Sequence, residues 1–185
     1  MRRPGAEAID SDPRATRTHS ALNEAFLALL REMDLTEITI SMLCARAGVH
    51  RTTFYGHHGN VFELARQTVG TELDQLLSSA PSVEFDAVIR QAMIRIQERR
   101  ETYRALFDSR VDVGFRADLY QRLLTYAQAA IQSAPAVQNA LPQPSFMAGA
   151  YAGILEHWAF SDSEDLDASV VRFGAPAEPS STTKR

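Results

Sequence analysis

The run LCARAGVHRTTFYGHH, from Leu43 to His58, decides how this chain folds. Its small, apolar and polar residues fall in the order that two short crossing helices require. The first helix must present small residues at the crossing, and Cys44 and Ala45 supply them; bulk there would push the second helix away. The turn needs a residue that accepts positive φ without strain, and Gly48 is the only glycine between Gly5 and Gly56. Beyond it, Leu43, Val49 and Phe54 are expected to share one small core, which leaves Arg51, Thr52, Thr53, Tyr55 and His57 facing outward. That outward set is rich in hydrogen-bond donors. Arginine pairs bidentately with guanine, threonine meets a thymine methyl or a phosphate, and tyrosine and histidine anchor phosphates. The pattern points to a helix-turn-helix that reads double-stranded DNA, although an Ala-x-x-Gly-Val turn by itself also joins helices that bind nothing.

On the N-terminal side, Asp12 and Pro13 form an N-cap and first-position pair, after which Leu22, Phe26, Leu29, Leu30 and Met33 recur at helical spacing in one long amphipathic helix. Thr39 is expected to cap a helix from about Ile40 to Ala47. Asn60 is expected to cap a fourth helix through Leu64, Val69, Leu73 and Leu77 to about Ser78. Residues 1–11 read as a disordered arm. Arg2, Arg3, Arg14 and Arg17 gather at this end, where an arginine arm can reach a minor groove or a phosphate; an ordinary solvated tail fits the same composition.

The run from Arg17 to Leu64, with Ala25-Phe26, Leu29-Leu30, Ile38-Thr39-Ile40, Ala47-Gly48-Val49, Thr53-Phe54-Tyr55, His57 and Glu63-Leu64, resembles the N-terminal domain of the TetR family of regulators. The resemblance covers about a quarter of the chain. It implies an all-α homodimer: a three-helix helix-turn-helix DNA-binding domain over residues 12–66, then a helical dimerisation and ligand-binding domain over 67–173. It also implies that Thr53, Tyr55 and His57 face phosphates, that Arg51 and Thr52 read bases, and that His50 stands where the family often has an N-capping residue. Two positions depart from the pattern. His58 replaces the usual aromatic residue, which loosens the small core, and Val61 replaces the usual phosphate-contacting lysine, which removes a charge.

The chain of 185 residues is 45% hydrophobic, enough to build one large or two modest helical cores. It has no run of about 18 apolar residues, as a membrane span needs, and no apolar stretch of a signal peptide near its start, so a cytoplasmic location is expected. Cys44 is the single cysteine, which excludes an internal disulfide and a cysteine-rich metal site. Charge runs mildly against DNA binding: residues 1–66 carry eight arginines and eight acidic residues, where a basic domain is the norm.

In the second half, Phe85, Val88, Ile89, Ala92, Met93 and Ile96 mark a fifth helix. Further helices are expected over 102–109, 114–134, 145–160 and 164–173, before a Pro-, Ser- and Thr-rich tail over 174–185. Met93, Ile96, Phe107, Phe115, Leu123 and Tyr126 could line an effector pocket, or simply pack the core. Ala148, Gly149, Ala152 and Gly153 form a small-residue strip suited to close helix approach. With Trp158 they fit the family's dimer interface, which sets two recognition helices about 34 to 36 Å apart and requires a palindromic operator. Arg95, Arg99, Arg100 and Arg104 read as a solvated face balanced by Glu98 and Glu101. No phosphate loop, catalytic carboxylate pair, nucleophile elbow, metal motif or cofactor signature is present, so no enzyme is expected. The function implied is a repressor released from DNA by a small, largely apolar molecule. The alternative is a helical ligand-binding or interaction protein that has lost specific DNA binding.

Overall fold

The computed structural model describes residues 13–79, 85–133 and 142–162, and every regular element among them is helical. The elements are α1 (Pro13–Leu29), a 3-10 turn (Leu35–Glu37), α2 (Ile40–Ala47), α3 (Arg51–His57), α4 (Val61–Ser79), α5 (Phe85–Glu98), α6 (Arg100–Phe107), α7 (Phe115–Ser133) and α8 (Pro144–Phe160). The N-terminal arm, the Asp12 cap, the 164–173 helix and the tail lie outside the described residues.

Two compact units divide the chain. The first takes the described residues up to Leu73 together with Arg99–Arg116; the second takes Asp74–Glu98 and those from Ala117 onward. In the first, Leu22, Phe26 and Leu29 of α1 are buried with Leu43 of α2, Phe54 of α3 and Leu64 of α4. The α1 residues, spaced four and three apart, share one helical face. The first helix ends at Leu29, so Met33 lies beyond it. Leu35 and Ile38 are buried, and the chain must turn to deliver them. Glu37 folds back to accept the Asp34 N–H at 3.1 Å, which fixes that turn.

Caps set the helix boundaries of the motif. The Thr39 hydroxyl accepts the Met42 N–H at 3.3 Å at the start of α2. Gly48 ends it at φ 67, and the Val49 N–H reaches back to the Cys44 carbonyl at 3.0 Å. A Cβ at Gly48 would meet nothing within 4 Å, so only the backbone resists a side chain there. Gly48→Ala is accordingly expected to cost about 1 kcal/mol in urea unfolding, and an unchanged midpoint would remove the left-handed turn from this account. Asn60 accepts the Glu63 N–H at 2.8 Å, while Glu63 accepts the Gly59 N–H at 2.7 Å; this reciprocal cap opens α4.

The 99–116 segment completes the first unit. Phe107 and Phe115 meet edge to face at 4.8 Å. The buried Asp112 carboxylate accepts the N–H groups of Gly114 at 2.7 Å and Phe115 at 2.8 Å, and Arg66 of α4 at 3.3 Å. One carboxylate thus caps α7 and ties it to α4. Of the arginines expected on a solvated face, Arg95 and Arg104 pair with Glu98 and Glu101, whereas Arg99 bonds Glu72 at 3.1 Å.

In the second unit α5 and α8 pack together. Val88, Ile89, Ala92, Met93 and Ile96 are all buried, as their spacing predicts. Trp158 is 1% exposed, and its indole N–H donates to the Met93 carbonyl at 2.9 Å.

Candidate nucleic-acid interface

The outward side of α3 is built by what its inward side must bury. Phe54 is fully buried and His58, four residues on, is 2% exposed, so both occupy the same inward stripe. That phase leaves Arg51, Thr52 and Tyr55 exposed and Thr53 and His57 half-buried. Tyr55, 59% exposed, rests edge-on against Phe54 with ring centroids 5.7 Å apart. Its hydroxyl is thereby held out from the surface by a rigid ring. The Arg51 guanidinium donates to the Ser41 hydroxyl on α2, which fixes its direction across the turn. Val49 is half-buried rather than a full member of the core, and Ala45 is exposed, so the close crossing of α2 rests on Leu43 and Cys44. Burial pushes the Cys44 thiol up, with Arg51 acting weakly the other way, which suits a packing residue.

The frame around α3 is braced by charge. Arg46 of α2 donates two bonds to Glu32, at 2.6 and 2.8 Å. This hydrogen-bonded pair lowers the Glu32 carboxyl and raises the Arg46 guanidinium. Arg14 and Arg17 are exposed on the first turns of α1, carried by a helix rather than by a loose arm. His50 makes no side-chain cap; α3 instead starts on its carbonyl, which accepts the N–H groups of Thr53 at 3.0 Å and Phe54 at 3.1 Å.

Both departures from the family pattern are interior positions. Val61 is 7% exposed and contributes to the core at the start of α4. His58 lies among the rings of Phe54, His19 and His57, at 5.6, 5.7 and 6.3 Å, with neither ring nitrogen hydrogen-bonded. Removal from water pushes its imidazole down to about 4, with His19 and His57 adding to the fall and Glu63 opposing it.

The six apolar residues named for a pocket are placed differently. Met93, Ile96, Phe107, Phe115 and Leu123 are buried side chains, and Phe107 and Phe115 belong to the first unit. Tyr126 lines an open cleft of 520 Å³ in the second unit, with Asp74, Leu77, Ser78, Arg122 and Thr125 among its walls. Sequence reasoning named only Tyr126 of that cleft, because most of the other lining residues are polar in type and mark no apolar stripe. On α8, Gly149 and Gly153 are exposed and Ala152 half-buried, whereas Ala148 and Trp158 are turned inward. Exposed Phe146 and Phe160 flank the two glycines on the outer face. Among the described residues no group of three metal-ligating side chains comes together, and no helix is long and apolar enough to cross a membrane.

These features make up an all-helical fold with a helix-turn-helix formed by α2 and α3. No protein-family model matches the chain. Over 59 residues it is 41% identical to an uncharacterized HTH-type transcriptional regulator, YxbF, of Bacillus subtilis (strain 168); the match spans 31% of this chain and 16% of that protein. Two solved structures are similar in backbone. One is native NalD, the secondary repressor of the MexAB-OprM multidrug efflux pump in Pseudomonas aeruginosa, with 16% identity, 78% of this chain and 84% of that chain covered, and a TM-score of 0.46. The other is the TetR family repressor AlkX of Dietzia sp. strain DQ12-45-1b, with 23% identity, 86% and 90% covered, and a TM-score of 0.39.

Proposed function

We propose that this chain is a transcriptional regulator that binds double-stranded DNA through α3 and acts as a repressor in the cytoplasm. The observation that carries the reading is the outward presentation of Arg51, Thr52 and Tyr55 on a helix locked from behind by Phe54. Arg51 and Thr52 read base edges in a major groove, while Thr53, Tyr55 and His57, with Arg14 and Arg17, hold phosphates. Two copies join through the outer face of α8, where Phe146, Gly149, Ala152, Gly153 and Phe160 gather, and read a palindromic operator. A small molecule entering the cleft beside Tyr126 favours the state that releases DNA, by no more than its difference in affinity for the two states.

Arg51→Ala tests the reading. It removes an exposed side chain, so the far-UV spectrum is expected to stay the same while specific binding falls about 10- to 100-fold, equivalent to ~1–3 kcal/mol. Fluorescence anisotropy on a labelled fragment from the chain's own upstream region measures it. Equal binding by both proteins would favour the other reading, a helical ligand-binding or interaction protein without specific DNA binding, which the neutral charge of residues 1–66 also suits.

A further inference from the structure

His58 is a buried imidazole that nothing satisfies. Its backbone N–H closes α3 on the Phe54 carbonyl at 2.8 Å, so the ring sits at the point where the DNA-facing helix ends. At 2% exposure neither ring nitrogen has a hydrogen-bond partner. A neutral ring tolerates such a seat at some cost, but an imidazolium needs two acceptors or water.

The groups that face it make protonation harder. From α1 comes His19, whose Nδ1 accepts the Asn23 amide at 3.2 Å; Asn23 in turn takes the Thr68 hydroxyl of α4 at 2.8 Å. From α3 comes His57. From α4 comes Glu63, the one favourable charge, but its carboxylate is already held by the Gly59 N–H at 2.7 Å. A proton on His58 therefore meets two further imidazoles and a carboxylate engaged elsewhere. The least costly response is for the ring to swing out to water, which opens the end of α3.

We propose that His58 is a proton-sensitive latch on α3: in acid the ring leaves its seat against His19 and Phe54, and the helix loses the position from which it meets DNA. The part about DNA rests on the function proposed above; the opening of α3 does not. The sign follows from linkage. A histidine held below its ordinary 6.5 in the folded state stabilises the fold fully above that pH, and the contribution drains away as pH falls toward about 4. Each pH unit in that window shifts the closed-to-open ratio by up to about tenfold. The Glu32 and Asp108 carboxylates, held low by Arg46 and Arg110, stay charged between pH 7.5 and 5.5 and do not confuse the signal.

The test compares the full chain with His58→Phe and His58→Leu, which fill the seat without titrating. Amide exchange over residues 51–58, corrected for the intrinsic pH dependence, is measured at pH 7.5, 6.5 and 5.5, and specific DNA binding at the same pH values. In the unsubstituted chain, protection is expected to fall several-fold or more between 7.5 and 5.5, with DNA affinity falling in step; in either variant protection stays within about twofold and DNA affinity does not fall. The direction is diagnostic, because protonating exposed histidines near phosphates tightens binding. Protection that is flat in the unsubstituted chain, or that falls equally in all three proteins, overturns the latch. If no fragment is bound specifically even at pH 7.5, the DNA-binding reading fails, and the exchange result alone decides the latch.

Discussion

Phe54→Ala is expected to destabilise the first unit by about 3–5 kcal/mol and to abolish the sequence-specific DNA binding proposed for α3. Phe54 is fully buried, and it is the one apolar side chain by which seven-residue α3 is held to the core. A helix of that length has no stability of its own in water, so its position depends on this contact. The loss of the ring also removes the surface on which Tyr55 rests edge-on. Urea unfolding followed by circular dichroism reads the stability change, and exchange over 51–58 shows where it falls. A loss below about 1 kcal/mol would mean that α3 is held by something other than Phe54.

Trp158→Ala is expected to cost the second unit about 3–5 kcal/mol. The indole is 1% exposed, and it both fills the space against α5 and donates to the Met93 carbonyl. Trp158→Phe separates the two contributions: it keeps most of the buried ring but forfeits the hydrogen bond, so a loss of about 1–3 kcal/mol is expected. Because Trp158 is the only tryptophan in the sequence, its fluorescence in the unsubstituted chain reports the unfolding of this unit. Variants that unfold at the same urea concentration as the unsubstituted protein would contradict this placement of Trp158.

The helix-turn-helix was legible because its signals are local. Thr39, Gly48 and Asn60 act on their own backbone or on residues three to four positions away, and each cap lies where its residue type predicts. The α5 stripe was legible for the same reason, since a 3.6-residue period on one helix needs no knowledge of the partner. What escaped depends on packing between distant segments. The end of α1 at Leu29 is set by the need to bury Leu35 and Ile38, a demand that the stripe running on to Met33 does not reveal. The junction of Asp112 with Arg66 joins residues 46 positions apart. On α8, Ala148 and Ala152 repeat at four residues, as do Gly149 and Gly153, with the two pairs about 100° apart, so the spacing alone does not reveal that Ala148 turns inward and Ala152 is half-buried. Only the glycine pair is exposed on the outer face. His58 and Val61 read as lost contacts to DNA or to the core; the structure makes both of them interior residues.

Binding of the purified chain to DNA from its own upstream region, in excess competitor and at two salt concentrations, tests the proposed DNA recognition most directly. Retention of one palindromic fragment at both salt concentrations, with affinity falling as salt rises, is the predicted result. Weak binding of all fragments alike, vanishing at the higher salt, would contradict sequence-specific recognition by α3.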